Sequence, residues 1–349
     1  DITPPFDCMT RTGAVPGPVC YRPGGGEPTL TDANLILGYL NPEALLGGAL
    51  PIDREYAATV FEEKVARPLG LGLPDAAFGA HQIAVASMVR VVKAVSSERG
   101  RDPRGFTLVG FGGNGPVHAA RVAAELGMRQ VVIPPWPGLF SAFGLLSADL
   151  THHFSRTILR PTGSLRASDL ERFFFELEAE ARAAVVHEGY RPDGIAISWA
   201  ADLRYVGQSY ELRLPVAAGR LDTNALADLD ERFGAEHERT YGHRAAADPI
   251  EVVNLRVTAS ARRSEAPDPG QTRALAHPER PATTRRLAYF GPKVGLVDVP
   301  VLGRQQVDSA PLAGPLIVEE YDATTVVPPG GSVRRDDWDN LVIDLEVLS

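Results

Sequence analysis

Gly112-Gly113-Asn114-Gly115-Pro116 is the segment of this sequence best suited to meeting a ligand with its backbone. Glycine leaves no side chain in the way of a close approach, and the free N–H groups at a helix start can hold an anion. The five residues taken alone follow neither the dinucleotide glycine pattern nor the Walker pattern, since no Lys-Ser/Thr follows. Tight strand-to-helix packing explains them equally well. His118 lies two residues beyond Pro116, within reach of a phosphate or a carbonyl, or else as a cap or core histidine. Asp32 and Asn34 follow a glycine-rich loop, where a carboxylate can position a substrate or a magnesium ion, or cap a helix.

Other polar groups point less clearly to chemistry. His152-His153 are adjacent and do not share a helix face, which argues against a metal pair. Glu236, His237 and His243 read as an exposed helix end, and Asp202, Arg204, Tyr205, Gln208 and Tyr210 as the polar face of a strand pair. No metal site is expected.

The elements around the turn follow from the apolar pattern. Residues 106–111 are a short apolar run without alternation, which reads as a strand buried on both faces. Residues 117–126 read as a helix ended by Gly127, and 131–133 as a second buried strand, completing a βαβ unit. Upstream, 54–68 and 75–99 read as helices, the second with an apolar stripe of Ile83, Ala84, Ser87, Met88, Val91, Val92 and Val95. A long amphipathic helix at 167–189, strands at 195–206 and 210–216, a helix at 223–241 and a strand at 251–262 suggest an α+β domain. The expected organisation is an α/β segment at 1–150, an α+β domain at 151–265, a linker at 266–282 and a β-rich module at 283–349.

Composition removes several classes of function. The 349 residues carry a net charge of −9, which disfavours a general electrostatic grip on nucleic acid. No apolar run approaches the ~20 residues of a membrane span. Two cysteines, Cys8 and Cys20, are too few for a disulfide framework, so a reducing, cytoplasmic setting is expected.

Taken in order, several segments resemble one family. They are Gly17 to Tyr21, Pro28 to Asn34, Leu108 to His118, Arg204 to Gln208, Tyr241 to His243, Val253 to Arg256 and Glu319 to Thr325. Together they are similar to the C-terminal half of hydantoinase A, the 5-oxoprolinase and acetone carboxylase β-subunit family. The resemblance implies an α/β chain containing part of an actin-like (sugar kinase, Hsp70, actin) nucleotide-binding lobe. It implies ATP with Mg2+, a cyclic amide substrate and a hydantoinase B-type partner subunit. Gly112, Gly113, Asn114, Gly115 and Pro116 would face the adenosine, with asparagine where the family has alanine. Asp32, Asn34 and His118 are carried as the catalytic candidates. A ketone-activating subunit of the acetone carboxylase type, and a scaffold subunit without catalysis, are the alternatives.

The family's two Asp-x-Gly-Gly-Thr phosphate segments do not occur here, and Arg22-Pro23 stands where the family has Gly-Arg. The expectation is a chain that starts midway through the second lobe, with the N-terminal half as a further partner. The chain alone is therefore predicted not to hydrolyse ATP. Incubation with magnesium-ATP should release no phosphate above background, and robust release would refute the prediction.

Overall fold

The computed structural model describes residues 16–21, 25–245, 248–262 and 284–346. They form two units, one of residues 1–145 with 267–349, the other Leu146–Ala266. Cys8 and the expected 266–282 linker lie outside the described residues.

Helix α1 (Leu30–Ile36) starts with a reciprocal capping box between Thr29 and Asp32. Asp53 caps α2 (Arg54–Phe61) through the Tyr56 N–H, and a π-helical turn at Glu62–Ala66 follows. The long helix α3 (Leu73–Val95) has a proline in its first turn. Its buried face is Ala76, Ala77, Ala80, His81 and Val85. This corrects the expected stripe, because Ile83, Val91 and Val95 are exposed. Small alanines are what let α3 lie close to α1, so the buried face is marked by size more than by hydrophobicity.

Strand β1 (Leu108–Val109) runs parallel to β2 (Gln130–Ile133), with α4 (Gly115–Glu125) as the crossover. The expected strand at 106–111 is shorter and is not buried on both faces. It is the edge of its sheet, and Phe106, Val109 and Phe111 are exposed. Gly110 is required by packing, since a Cβ there would meet Ile133 Cδ1 at 2.7 Å and Ala119 Cβ at 2.8 Å. Gly112 has φ +85°, which glycine adopts without cost. Helix α5 (Phe140–Ser147) follows.

The second unit is a four-stranded antiparallel sheet with two helices. Strands β3 (Leu150–Pro161), β4 (Ile195–Tyr205), β5 (Leu212–Val216) and β6 (Ile250–Ala261) lie in the order β3-β6-β4-β5. Helices α6 (Ala167–His187) and α7 (Ala225–Tyr241) bury Phe174, Leu177 and Phe233 in the core formed with the sheet. Phe174 stacks on Trp199 at 4.6 Å, and the indole N–H donates to Glu178 at 3.0 Å.

The chain then returns to the first unit. Strands β7 (Thr284–Tyr289), β8 (Leu296–Leu302), β9 (Leu312–Ala313), β10 (Leu316–Glu319), β11 (Thr324–Val327), β12 (Gly331–Arg335) and β13 (Leu341–Leu345) follow. They were expected as a separate module. Instead β13 pairs antiparallel with β2, Leu341 opposite Ile133, so one sheet runs β9-β12-β13-β2-β1. A second sheet, β11-β10-β8-β7, packs Ala288, Val299 and Ile317 into the core that holds α1, α2 and α3. The apolar runs of these strands cannot be covered by so short a segment alone, and the N-terminal helices cover them.

Arg304 locks this arrangement. Its guanidinium is 1% exposed and meets Glu320 with two bonds of 2.6 and 2.8 Å. It also donates to the carbonyls of Ile133, Pro134 and Asp339. A paired and fully hydrogen-bonded buried ion pair is tolerated, whereas stranding one partner costs about 3–5 kcal/mol. Arg304→Ala should therefore lower the urea-unfolding free energy by about 3–5 kcal/mol. A loss below about 1 kcal/mol would contradict the assignment.

Candidate functional site

The turn predicted to face a ligand does border a cavity. Gly113 and Asn114 form one wall of a space of about 290 Å³, with Thr31 of α1, the Leu40–Leu50 loop and residues 319–324 as the others. Two glycines make room for Asp322. A Cβ on Gly113 would lie 3.3 Å from the Asp322 carbonyl oxygen, and one on Gly138 would lie 2.8 Å from its carboxylate. The carboxylate oxygens of Asp322 are buried without a hydrogen-bond partner.

The cavity has an unusual charge balance for a nucleotide site. Glu319, Glu320 and Asp322 line it, and among the described lining residues there is no lysine or arginine. Glu320 is neutralised from behind by Arg304, and Glu319 by Arg286. Asn41 also donates to Glu319 at 3.3 Å. Leucines and Tyr21 supply the apolar surface. Such a lining suits a flat, neutral, donor-rich group and repels a polyphosphate.

Extended back to Gly110, the turn does read G-x-G-x-x-G through Gly112 and Gly115, which corrects the reading from the five residues alone. The second strand ends in Pro134-Pro135-Trp136, without the acidic residue that grips a ribose in dinucleotide folds. Pro116 and Gly115 occupy the first helical turn of α4.

The structure brings Asn34 and His118 together and adds a residue that the sequence reading missed. Asn34 Nδ2 donates to His118 Nε2 at 3.3 Å, and Asn34 Oδ1 accepts from His81 Nδ1 at 2.9 Å. The two rings stack at 4.6 Å. All three residues are 3% exposed or less. Burial holds both imidazoles neutral, pushing His81 down to about 3, with His118 and Arg121 adding to the effect, and His118 to about 4. His81 interrupts an otherwise small and apolar helix face, which is the signal that could have found it.

Asp32 has a different place. It is fully buried and accepts from the N–H groups of Val19, Cys20 and Thr29 and from the Thr29 hydroxyl, at 2.8–3.2 Å. These four donors tie residues 19–20 to the start of α1. Burial, reinforced by the Asp32 charge, pushes the Cys20 thiol far above its ordinary value, which keeps it unreactive.

The remaining candidates lie in the second unit. His152 pairs with Glu188 at 2.7 Å and His153 with Thr258 at 3.0 Å. His237 is a buried tie, bonded to Gln208 and to the His243 carbonyl, where an exposed helix end was expected. Asp202 takes donors from Arg213, Asn254 and Arg256 across three strands. Burial opposes its charge, and those donors still hold its carboxyl below the usual range. Among the described residues no three His, Cys, Asp or Glu side chains converge as a metal site, and no helix is long and apolar enough to cross a membrane.

Two family models match: hydantoinase/oxoprolinase over residues 10–154 and hydantoinase/oxoprolinase C-terminal domain over 164–344. The chain belongs to the hydantoinase/oxoprolinase family. It is 34% identical over 333 residues to caprolactamase subunit alpha of Pseudomonas jessenii, covering 93% of this chain and 47% of that one. It is 29% identical to the acetone carboxylase beta subunit of Xanthobacter autotrophicus, covering 90% of this chain and 45% of that one. The crystal structure of the ATP-dependent caprolactamase from Pseudomonas jessenii superposes with a TM-score of 0.70 at 32% identity, over 95% of this chain and 49% of that one. This hydantoinase/oxoprolinase chain thus spans about half the length of these relatives.

The buried histidines make stability depend on pH. Their folded values lie below the unfolded value of about 6.5, so the unfolded chain takes up protons first as pH falls. The contribution of these two histidines should be complete above about pH 6.5 and decline toward the folded values of about 4 for His118 and about 3 for His81, by up to about 1.4 kcal/mol per pH unit for each histidine. Urea midpoints should fall between pH 7 and pH 5, and His81→Phe should flatten that fall. An unchanged pH slope in the variant would contradict the assignment.

Proposed function

We propose that this chain is the nucleoside-binding half of an ATP-dependent enzyme that opens a cyclic amide, with an actin-like lobe as its frame. The observation that carries the reading is the cavity at Gly113 and Asn114, acidic and apolar, with no cation among its described lining residues. It accommodates a base and sugar and leaves the phosphates, with their Mg2+, to segments outside this chain. A second, B-type subunit would hold the amide.

ATP would supply a phosphoryl group that turns an unreactive carbonyl oxygen into a leaving group, a reaction governed mainly by positioning and charge neutralisation. The chain's own residues would bind and orient. Gly113 and Asn114 would let the sugar approach the backbone, and Leu45, Leu46 and Tyr21 would cover the base. Asn34, His81 and His118 would hold α1, α3 and α4 in register behind the turn, so His118 acts through the scaffold. Asp32 would act through the 19–20 loop, and neither would touch the reacting atoms.

The cyclic-amide reading draws on the caprolactamase likeness, in which both the sequence identity and the fold agree. A ketone substrate is the alternative, drawn from the acetone carboxylase beta subunit. A substrate screen of the complete enzyme, following ATP consumption, separates the two.

A lining with no lysine or arginine among its described residues makes a further prediction. Adenosine and ATP should bind this chain with dissociation constants within about threefold of each other, since the phosphates add no contact here. Gly113→Val should weaken both by at least about tenfold, or about 1.4 kcal/mol. Calorimetric titration decides it. ATP binding a hundredfold tighter than adenosine would place the phosphates on this chain and overturn the reading.

A further inference from the structure

Strand β1 has the sequence of an interior strand and the position of an edge strand. The run from Phe106 to Phe111 holds no charged residue and no proline. Such runs belong to strands buried on both faces of a parallel sheet. Edge strands elsewhere in the structure are defended against further pairing by charge or proline. Strand β3 carries Arg156 and Arg160, β5 carries Arg213 and Pro215, and β7 carries Arg285 and Arg286. The paired part of β1 is short, but its undefended apolar run continues on either side of it.

The geometry of β1 leaves room for one more strand. Its described partner is β2, and the Gly110 N–H donates to the Val132 carbonyl at 2.9 Å. Backbone groups alternate sides along a strand, so those of Val109 point away from β2, where no described strand lies. Phe106, Val109 and Phe111 are half-exposed. Phe111 meets Phe140 at 5.5 Å between ring centroids, and Leu139 beside it is exposed, so the apolar surface runs on past the strand. Helix α3 adds an uncovered strip of its own. Its Met88 and Val92 pack, like Leu108, against the core around Val131 and Ile133. Val91 and Val95, their neighbours one turn on, are exposed.

We propose that this surface is where the other half of the family's polypeptide docks, by adding a strand beside β1 and covering the apolar side chains around it. This chain accounts for 47% of caprolactamase subunit alpha and 45% of the acetone carboxylase beta subunit, so the remainder is a body of similar size. A second copy of this chain would offer only the same short run, which turns away at Gly112, where φ is +85°. The glycine turn continues directly from β1, so the docked half would border the wall of the Gly113 cavity. The inference concerns the surface and stands whatever that cavity holds.

The test is co-expression of the 349-residue chain with the N-terminal part of Pseudomonas jessenii caprolactamase subunit alpha that lies outside the match, compared with the chain alone by hydrogen exchange. The two should purify together, and amide exchange at Val109 and Phe111 should slow by about tenfold or more in the complex. Val109→Lys should weaken the complex by about tenfold or more and leave the melting temperature of the chain alone unchanged, since that side chain is half-exposed. Absence of a complex, exchange at 106–111 unchanged within it, or indifference to Val109→Lys would overturn the proposal. Slowing that appears in the chain alone as its concentration rises would assign the surface to a second copy and overturn it as well.

Discussion

A buried guanidinium must find an acceptor for each of its N–H groups, and that constraint organises the first unit. Arg304 satisfies it by reaching Glu320, the end of β2 at Ile133 and Pro134, and the turn at Asp339. Three stretches far apart in the chain are fixed to one another by a single side chain. One of them, residues 319–324, is the wall of the Gly113 cavity. The same ion pair that ties β2 to the C-terminal strands therefore also sets the charge of the site, because it neutralises Glu320 from the protein side. A carboxylate held in this way can line a pocket for a neutral ligand without drawing in a loose cation.

Two cavities of the first unit differ in the charge of their linings. One faces the glycine turn and is acidic and apolar. The other is lined by His81 and Arg121 and has no carboxylate among its described lining residues. The cluster joins α1, which lines the first cavity through Thr31, to α3 and α4, which line the second. Neutral, tightly bonded imidazoles are stiff spacers, and burial is what keeps them neutral at physiological pH.

Local chemistry was legible in the sequence, and long-range pairing was not. The glycine turn, the proline in the first turn of α4 and the βαβ order follow from residues within thirty positions of one another, and the structure shows each of them. The fate of the C-terminal strands could not be read, since β13 pairs with β2 across some two hundred residues and its alternation is the same whether its partner is near or far. The edge position of β1 was hidden for the same reason. At the site, Asn34 stood out after the upstream glycine-rich loop and His118 beside the turn, but their bond depends on a tertiary approach. His81 sat in a helix whose buried face is marked by alanines, so the apolar stripe was placed a few residues off. The four donors of Asp32 were equally out of sight, since two of them come from residues 19 and 20, on the far side of the glycine-rich loop in sequence.

The central claim is that the cavity beside Gly113 receives the nucleoside end of ATP. Photolabelling with an azido-adenosine probe, followed by peptide mapping, examines it most directly. The account predicts crosslinks confined to residues 40–50, 113–114 and 319–324, suppressed by excess adenosine. Labelling confined to other segments, or labelling that adenosine does not suppress, would contradict it.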